Sequence, residues 1–212
     1  VGFSYPFAHV PVFDRLNVSV GSGEILCVYG GNGTGKTTLA KMLCGLLQPD
    51  GGKIFVDGIN LQQVAPKWWS NKTIYLPQEP DFINDTFRNN FLTYNPDLSA
   101  NDIHQLLEQL DLLALVDENP EGLDQKIRNN GKRFSLGVRR RLALARALCH
   151  DGVLAILDEP TEGMDPKGAS TVYNVMNGLV KKKCTMIVFS HDRNIVRGAH
   201  HFLNLGENKK LS

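Results

Sequence analysis

EILCVYGGNGTGKTT, Glu24 to Thr38, decides the fold. Its first half is a short apolar run rich in strand formers that stops at glycines. The residues after it, TTLAKMLCGLL from Thr37 to Leu47, are of helix-forming type, so the order is strand, glycine-rich loop, helix. Gly30 to Thr37 fits the spacing G-x-x-x-x-G-K-[ST]. Each position then has a physical reason. Gly31, Gly33 and Gly35, with Asn32 and Thr34 between them, let the backbone wrap closely around phosphate. Successive N–H groups and the following helix start, including Thr38, supply positive potential. Lys36 reaches the β and γ phosphates, and Thr37 can ligate Mg²⁺.

Outward from this stretch, VLAILDE (Val153 to Glu159) and CTMIVFS (Cys184 to Ser190) are further apolar runs. Bounded by polar residues or glycine, they read as strands buried on both faces of a parallel sheet, which makes the core α/β. KIFVDGINL, Lys53 to Leu61, predicts an antiparallel hairpin, because Asp57-Gly58 can take the positive φ angles of a tight turn. From Asn84 to Cys149 the character becomes helical. Ser99 with Asp102 suits an N-cap, and Ile103, Leu106, Leu107 and Leu110 form one apolar stripe. The expected organisation is one domain: residues 1–83 a small β subdomain and the first part of the core, 84–149 an inserted helical subdomain, and 150–212 the rest of the core.

The chain has 212 residues, 42% hydrophobic and 21% charged, ordinary globular composition with length for one substantial core. A formal net charge of +1 lacks the basic excess that draws in nucleic acid, so no nucleic-acid partner is expected. Cys27, Cys44, Cys149 and Cys184 show no CxxC pairing and read as reduced, buried thiols. No run approaches the roughly 18 apolar residues of a membrane span, and no signal peptide is visible, so the chain by itself is expected in the cytosol. The start at Val1, running almost at once into a strand-like segment, suggests an excised domain.

Asp158 ends the Val153–Leu157 run, where a carboxylate at the carboxyl edge of a sheet can face Mg²⁺. Glu159, next to it, can polarise a water for in-line attack on the γ-phosphate. His191, after another core strand, can hold that phosphate and water.

With these residues in this order, the chain resembles the ABC (ATP-binding cassette) ATPase family over essentially its whole length. GGNGTGKTT is similar to the Walker A motif and VLAILDEP to Walker B. The resemblance implies Asp158 as metal carboxylate and Glu159 as catalytic glutamate. It makes Gln78 in IYLPQEP the Q-loop glutamine, which touches both metal and nucleotide, and Asp165 in TEGMD the D-loop aspartate. His191 in VFSHD becomes the switch histidine, and Tyr5 in FSYP the aromatic that stacks on adenine. The family signature LSGGQ followed by RQRIALARAL reads here FSLGV followed by RRRLALARAL. Ser135 and Gly137 keep the pattern; Leu136 and Val138 depart from it. The implied fold is a P-loop NTPase core with a small antiparallel β subdomain and a helical insertion. The implied cofactors are ATP and Mg²⁺.

EGLDQKIRNNGKRFSLG, Glu121 to Gly137, resembles the exporter stretch GYDTxVGExGxxLSGGQ residue for residue in spacing, with Asn129 in the place of the glutamate. QEPDFINDTFRNNF, Gln78 to Phe91, resembles the exporter segment that receives the membrane domain. The expectation is the ATPase motor of an exporter on the cytoplasmic face of a membrane. Its partners would be the transmembrane domain of the same transporter and a second nucleotide-binding domain, identical or different, in an ATP sandwich. A separately encoded importer ATPase and a soluble ABC protein of DNA repair or translation are the alternatives. About 120 residues of ordinary sequence between Lys36 and Asp158, with no long coiled coil, speak against the repair class.

Overall fold

A computed structural model describes residues 1–206; the last six residues of the 150–212 core segment lie outside the described residues. The chain forms two compact units: Val1–Tyr75 with Gly152–Glu159 and the chain from Lys183 onward, and Leu76–Asp151 with Pro160–Lys182.

The first unit is the α/β core. Strand β1 (Ile25–Tyr29) leads through the glycine loop into α1 (Lys36–Leu43), as the sequence predicts. The helix is shorter than the run to Leu47, because Gly45 turns left-handed (φ 75°) just past its end. The expected hairpin is β2 (Phe55–Val56) and β3 (Ile59–Asn60), with Asp57 at φ 48° and Gly58 at φ 80° forming its two-residue turn. Isolated antiparallel bridges, Gly2 with Gly51 and Phe3 with Phe13, complete the small β part. Helix α2 (Pro66–Lys72) begins with proline, whose missing N–H costs nothing at a first turn. It runs straight into β4 (Thr73–Leu76).

The second unit opens with α3 (Phe87–Leu92), α4 (Ala100–Gln109), α5 (Ala114–Asp117) and α6 (Leu136–Ala147). At the start of α4 the Ser99–Asp102 capping box is present in both directions. Ile103, Leu107 and Leu110 are fully buried, while Leu106 at the margin of the stripe is half-buried. The chain then returns to the first unit for β5 (Leu154–Asp158) and to the second for α7 (Pro166–Lys181). It finishes in the first unit with β6 (Thr185–Phe189), α8 (Arg193–Gly198) and β7 (His201–Asn204).

The main sheet has the order β4-β5-β6-β1-β7, with parallel pairing of β5 with β6, β6 with β1 and β1 with β7. Leu26 stands beside Ile187, and Ile187 beside Ile156, so three apolar runs far apart in sequence lie in register. Their side chains pack with Leu39, Ala40 and Met42 of α1 and with Phe3, Phe13 and Leu16 in one core. Both faces are covered, which explains why these strands read as continuous apolar runs. Among the described residues no helix is long and apolar enough to cross a membrane.

Candidate functional site

Because β5, β6 and β1 are parallel neighbours, the segments leaving their carboxyl ends come together at one edge of the sheet. The Glu159 N–H donates to the Phe189 carbonyl (2.8 Å) and the Ser190 N–H to the Val28 carbonyl (3.1 Å), tying the three exits to one another. Within the glycine loop, Thr34 Oγ1 donates to the Gly31 carbonyl (2.9 Å). Gly35, the N-cap of α1, has φ 105°. A Cβ there would fall 2.6 Å from Val12 Cγ1 and 2.7 Å from the Phe13 ring, so glycine is needed for conformation and for space. Gly33 has φ 73° with no neighbouring atom within 4 Å of a Cβ, so its requirement is conformational. Gly31 and Asn32 are exposed at the loop tip.

Lys36 Nζ donates to the Gly30 carbonyl at 2.7 Å. His191 Nε2 donates to the same oxygen at 3.0 Å, which puts the strand-end histidine on the glycine loop, 161 residues away in sequence. Thr37 Oγ1 donates to Asp158 Oδ2 at 2.8 Å, and Asp158 is 1% exposed. Glu159 takes the left-handed conformation (φ 48°), a placement that costs a non-glycine residue about 1 kcal/mol. Burial pushes the Cys27 thiol up to about 11, with Glu159 adding to the rise. Burial, then Cys44 and Asp158, likewise hold the Tyr75 phenol well above its usual range. The Tyr5 hydroxyl lies 3.0 Å from Thr38 Oγ1 in the first turn of α1, with its ring edge-on to Phe3 at 5.0 Å.

This donor set fits a nucleoside triphosphate with its metal: a cation, a helix start, positive-φ glycines and a hydroxyl paired with a buried carboxylate. Tyr5, Gly31, Asn32, Gly33, Thr34, Gly35, Lys36, Thr37, Thr38, Asp158, Glu159 and His191 all belong to the first unit.

Gln78, Ser135, Gly137 and Asp165 belong to the second. The Gln78 carbonyl accepts from Arg140 Nε (3.1 Å) and Nη2 (3.0 Å). Ser135 caps α6, its Oγ accepting from the Val138 N–H. A Cβ on Gly137 would lie 3.2 Å from Met164 Cγ and 3.3 Å from the Gly163 carbonyl, so this glycine is required by packing inside the chain itself. The Leu136 side chain reaches Gly163, where an added Cβ would sit 3.3 Å from its Cδ2. Asp165 caps α7 through the Gly168 N–H (2.9 Å). The segment read as exporter-like is strapped to the one after Gln78: Phe87 N–H donates to the Gln125 carbonyl and Ile127 N–H to the Asp85 carbonyl. Asn129, Asn130 and Gly131 all have positive φ (50°, 56° and 66°), a run that suits asparagine and glycine. The sequence reading missed Arg140, whose signal, a cation one turn into a helix of mixed polarity, is indistinguishable from a solvated residue.

The family model "ABC transporter" matches residues 13–162. An ATP-dependent lipid A-core flippase of Chromobacterium violaceum is 30% identical over 188 residues, 89% of this chain and 32% of that protein. The glutathione/L-cysteine transport system ATP-binding/permease protein CydC of Bacillus subtilis is 34% identical over 81% of this chain and 30% of its own length. P-glycoprotein 14 of Caenorhabditis elegans is 29% identical over 94% of this chain and 15% of its own length. The chain thus spans a third or less of each of these relatives. Among solved structures, that of a bacterial Atm1-family ABC exporter with ATP bound superposes with a TM-score of 0.89 at 22% identity, over 98% of this chain and 36% of that one, a likeness of fold. By the family model, which covers more than half of it, the chain belongs to the ABC transporter family.

Proposed function

We propose that this chain binds and hydrolyses Mg-ATP as the motor domain of an exporter-type ABC transporter. The observation that carries the reading is the meeting of Lys36, Thr37, Asp158, Glu159 and His191 at the carboxyl edge of β1, β5 and β6. Lys36 and the start of α1 bind phosphate, and Tyr5 supports the adenine side. Glu159 takes the proton of the attacking water, and His191 orients the γ-phosphate. Thr37 and Asp158 would hold Mg²⁺, which would supply positive charge against that developing on the phosphates, and Gln78, in the second unit, is the glutamine that the family resemblance assigns to the same metal. Ser135, Gly137 and Asp165 serve a second nucleotide-binding domain across an ATP sandwich, and a transmembrane domain of the same transporter receives the motion. The relatives named above, one of them an ATP-binding/permease protein, favour this arrangement on the cytoplasmic face of a membrane.

Calorimetry with millimolar Mg-ATP, followed by phosphate release, tests the reading. Heat of binding and turnover that depends on Glu159 are expected. Absence of any nucleotide uptake by folded protein would overturn it.

A further inference from the structure

Arg140 is 1% exposed and the bulkiest of the fully buried side chains. It lies one turn into α6, where the RQRIALARAL pattern has glutamine. Its guanidinium is spent on two places far apart in sequence. Nε and Nη2 converge on the Gln78 carbonyl at 3.1 and 3.0 Å, 62 residues upstream. Nη1 donates to the Glu162 carbonyl, and Nη2 donates at 2.7 Å to the Glu162 carboxylate, which is half exposed. A glutamine has two N–H donors and could not make all four bonds, whereas the planar fork of arginine can. The ion pair also repays part of the cost of burying the charge.

Glu162 lies in the short connection between Glu159 and Asp165, and the same connection is held from α6 at two more points. Leu136 rests against Gly163, and Gly137 faces Met164 with no room for a side chain. Asp165 then caps α7. The backbone of Gln78 and the 160–165 connection are thereby fixed to one another through a single side chain.

We infer that Arg140 is a positioning residue for ATP hydrolysis, holding Gln78 and the Glu162–Asp165 segment in one preset arrangement. The inference rests on the reading of Gln78 as a residue of the ATPase site. Arg140 touches neither nucleotide nor water in this account; it acts through the Gln78 carbonyl. Its loss therefore disturbs the placement of Gln78 within the second unit, whereas the phosphate-binding loop is built by residues of the first.

The test compares Arg140→Met, Arg140→Gln and Glu162→Gln in the intact protein, reading Kd for Mg-ATP, kcat and the Mg²⁺ dependence of turnover. Arg140→Met is expected to keep Kd within about twofold, to lower kcat about tenfold and to raise the Mg²⁺ needed for half-maximal rate severalfold. Glu162→Gln, which keeps the grip on Gln78, lowers kcat only about threefold, and Arg140→Gln falls between the two. A kcat for Arg140→Met within twofold of wild type, or Kd and kcat worsening in proportion, overturns the inference. Should Arg140→Met fail to fold, Arg140→Gln and Glu162→Gln decide: wild-type kcat in both overturns it. If the wild-type protein itself takes up no ATP, the proposed function falls first; if wild type turns over normally and the variants do too, only this inference falls.

Discussion

Lys36 and His191 donate to one acceptor, the Gly30 carbonyl oxygen, at 2.7 and 3.0 Å. One carbonyl at the mouth of the glycine loop therefore accepts from both the Lys36 ammonium and the histidine that follows β6. Under the proposed function, a phosphate oxygen entering the loop competes for the same donors. Lys36→Met should weaken Mg-ATP binding by a factor of ten to a hundred, on the order of the loss of one charge-assisted contact. His191→Ala should keep binding within about threefold while lowering kcat at least tenfold, because it is needed at the reacting phosphate. Fluorescence titration with a labelled nucleotide, alongside steady-state kinetics, separates the two effects; equal loss of binding in both variants would contradict this division of labour.

Glu159 follows β5 directly in a left-handed backbone conformation, φ 48°. Glu159→Gln preserves shape and hydrogen-bonding reach but cannot accept the proton. The expected outcome is wild-type Kd for Mg-ATP with kcat reduced about a hundredfold or more. Phosphate release near the wild-type rate would remove Glu159 from the role of base.

The glycines of the loop should separate by mutation. Gly35→Ala forces a Cβ to within 2.6 Å of Val12 in a φ region that disfavours it, and should cost several kcal/mol or prevent folding. Gly31→Ala meets no atom within 4 Å and has no positive-φ requirement, so its thermal midpoint should shift by no more than about 2 °C. Thermal melts followed by circular dichroism distinguish the two directly.

Leu136 and Gly163 are coupled by contact, a large residue in the signature stretch facing a small one in the connection to α7. Gly163 also has φ 71°, so Gly163→Ala should destabilise by about 1–3 kcal/mol from strain and crowding together. In a Leu136→Ala background the crowding part disappears and the penalty should fall toward about 1 kcal/mol. Urea unfolding of the four proteins of the cycle gives the coupling; strict additivity would mean that the contact carries no energy. Leu136→Gly, which restores the family pattern, should raise ATPase if signature closure limits turnover, although it also removes this packing.

Burial raises the thiols of Cys27, Cys44 and Cys149 to about 11, about 12 and about 12. The folded protein keeps these protons to higher pH than the unfolded chain does, so above about pH 9 the unfolded state binds fewer protons and stability declines as pH rises toward 12. At pH 8 the native thiols should react with an aromatic disulfide reagent far more slowly than in denaturant. Rapid labelling of all four in the native protein would contradict their placement.

Strand β1, the glycine loop, the start of α1, the Asp57-Gly58 turn and the Ser99 cap were legible because each is set by residues a few positions apart: apolar run length, positive-φ tolerance, side-chain reach to a nearby N–H. Asp158, Glu159 and His191 were legible as strand-end residues for the same reason. Strand β7 was not, since as the edge of the sheet it leaves His201 and Phe202 exposed and shows no buried run. Helix α7 carried a signal that went unread, Val172, Val175, Met176 and Leu179 at helical spacing behind the Asp165-Pro166 start.

What the sequence alone determined was the chemistry: a cation, a hydroxyl, two acids and a histidine at the ends of apolar segments. The order β5-β6-β1, which sets His191 on Gly30 and Asp158 on Thr37, was decided only by tertiary structure, as were the grip of Arg140 on Gln78 and the contact of Leu136 with Gly163. Parallel strand order and side-chain contacts between residues far apart in sequence arise from the collective burial of the core, and no local pattern encodes them.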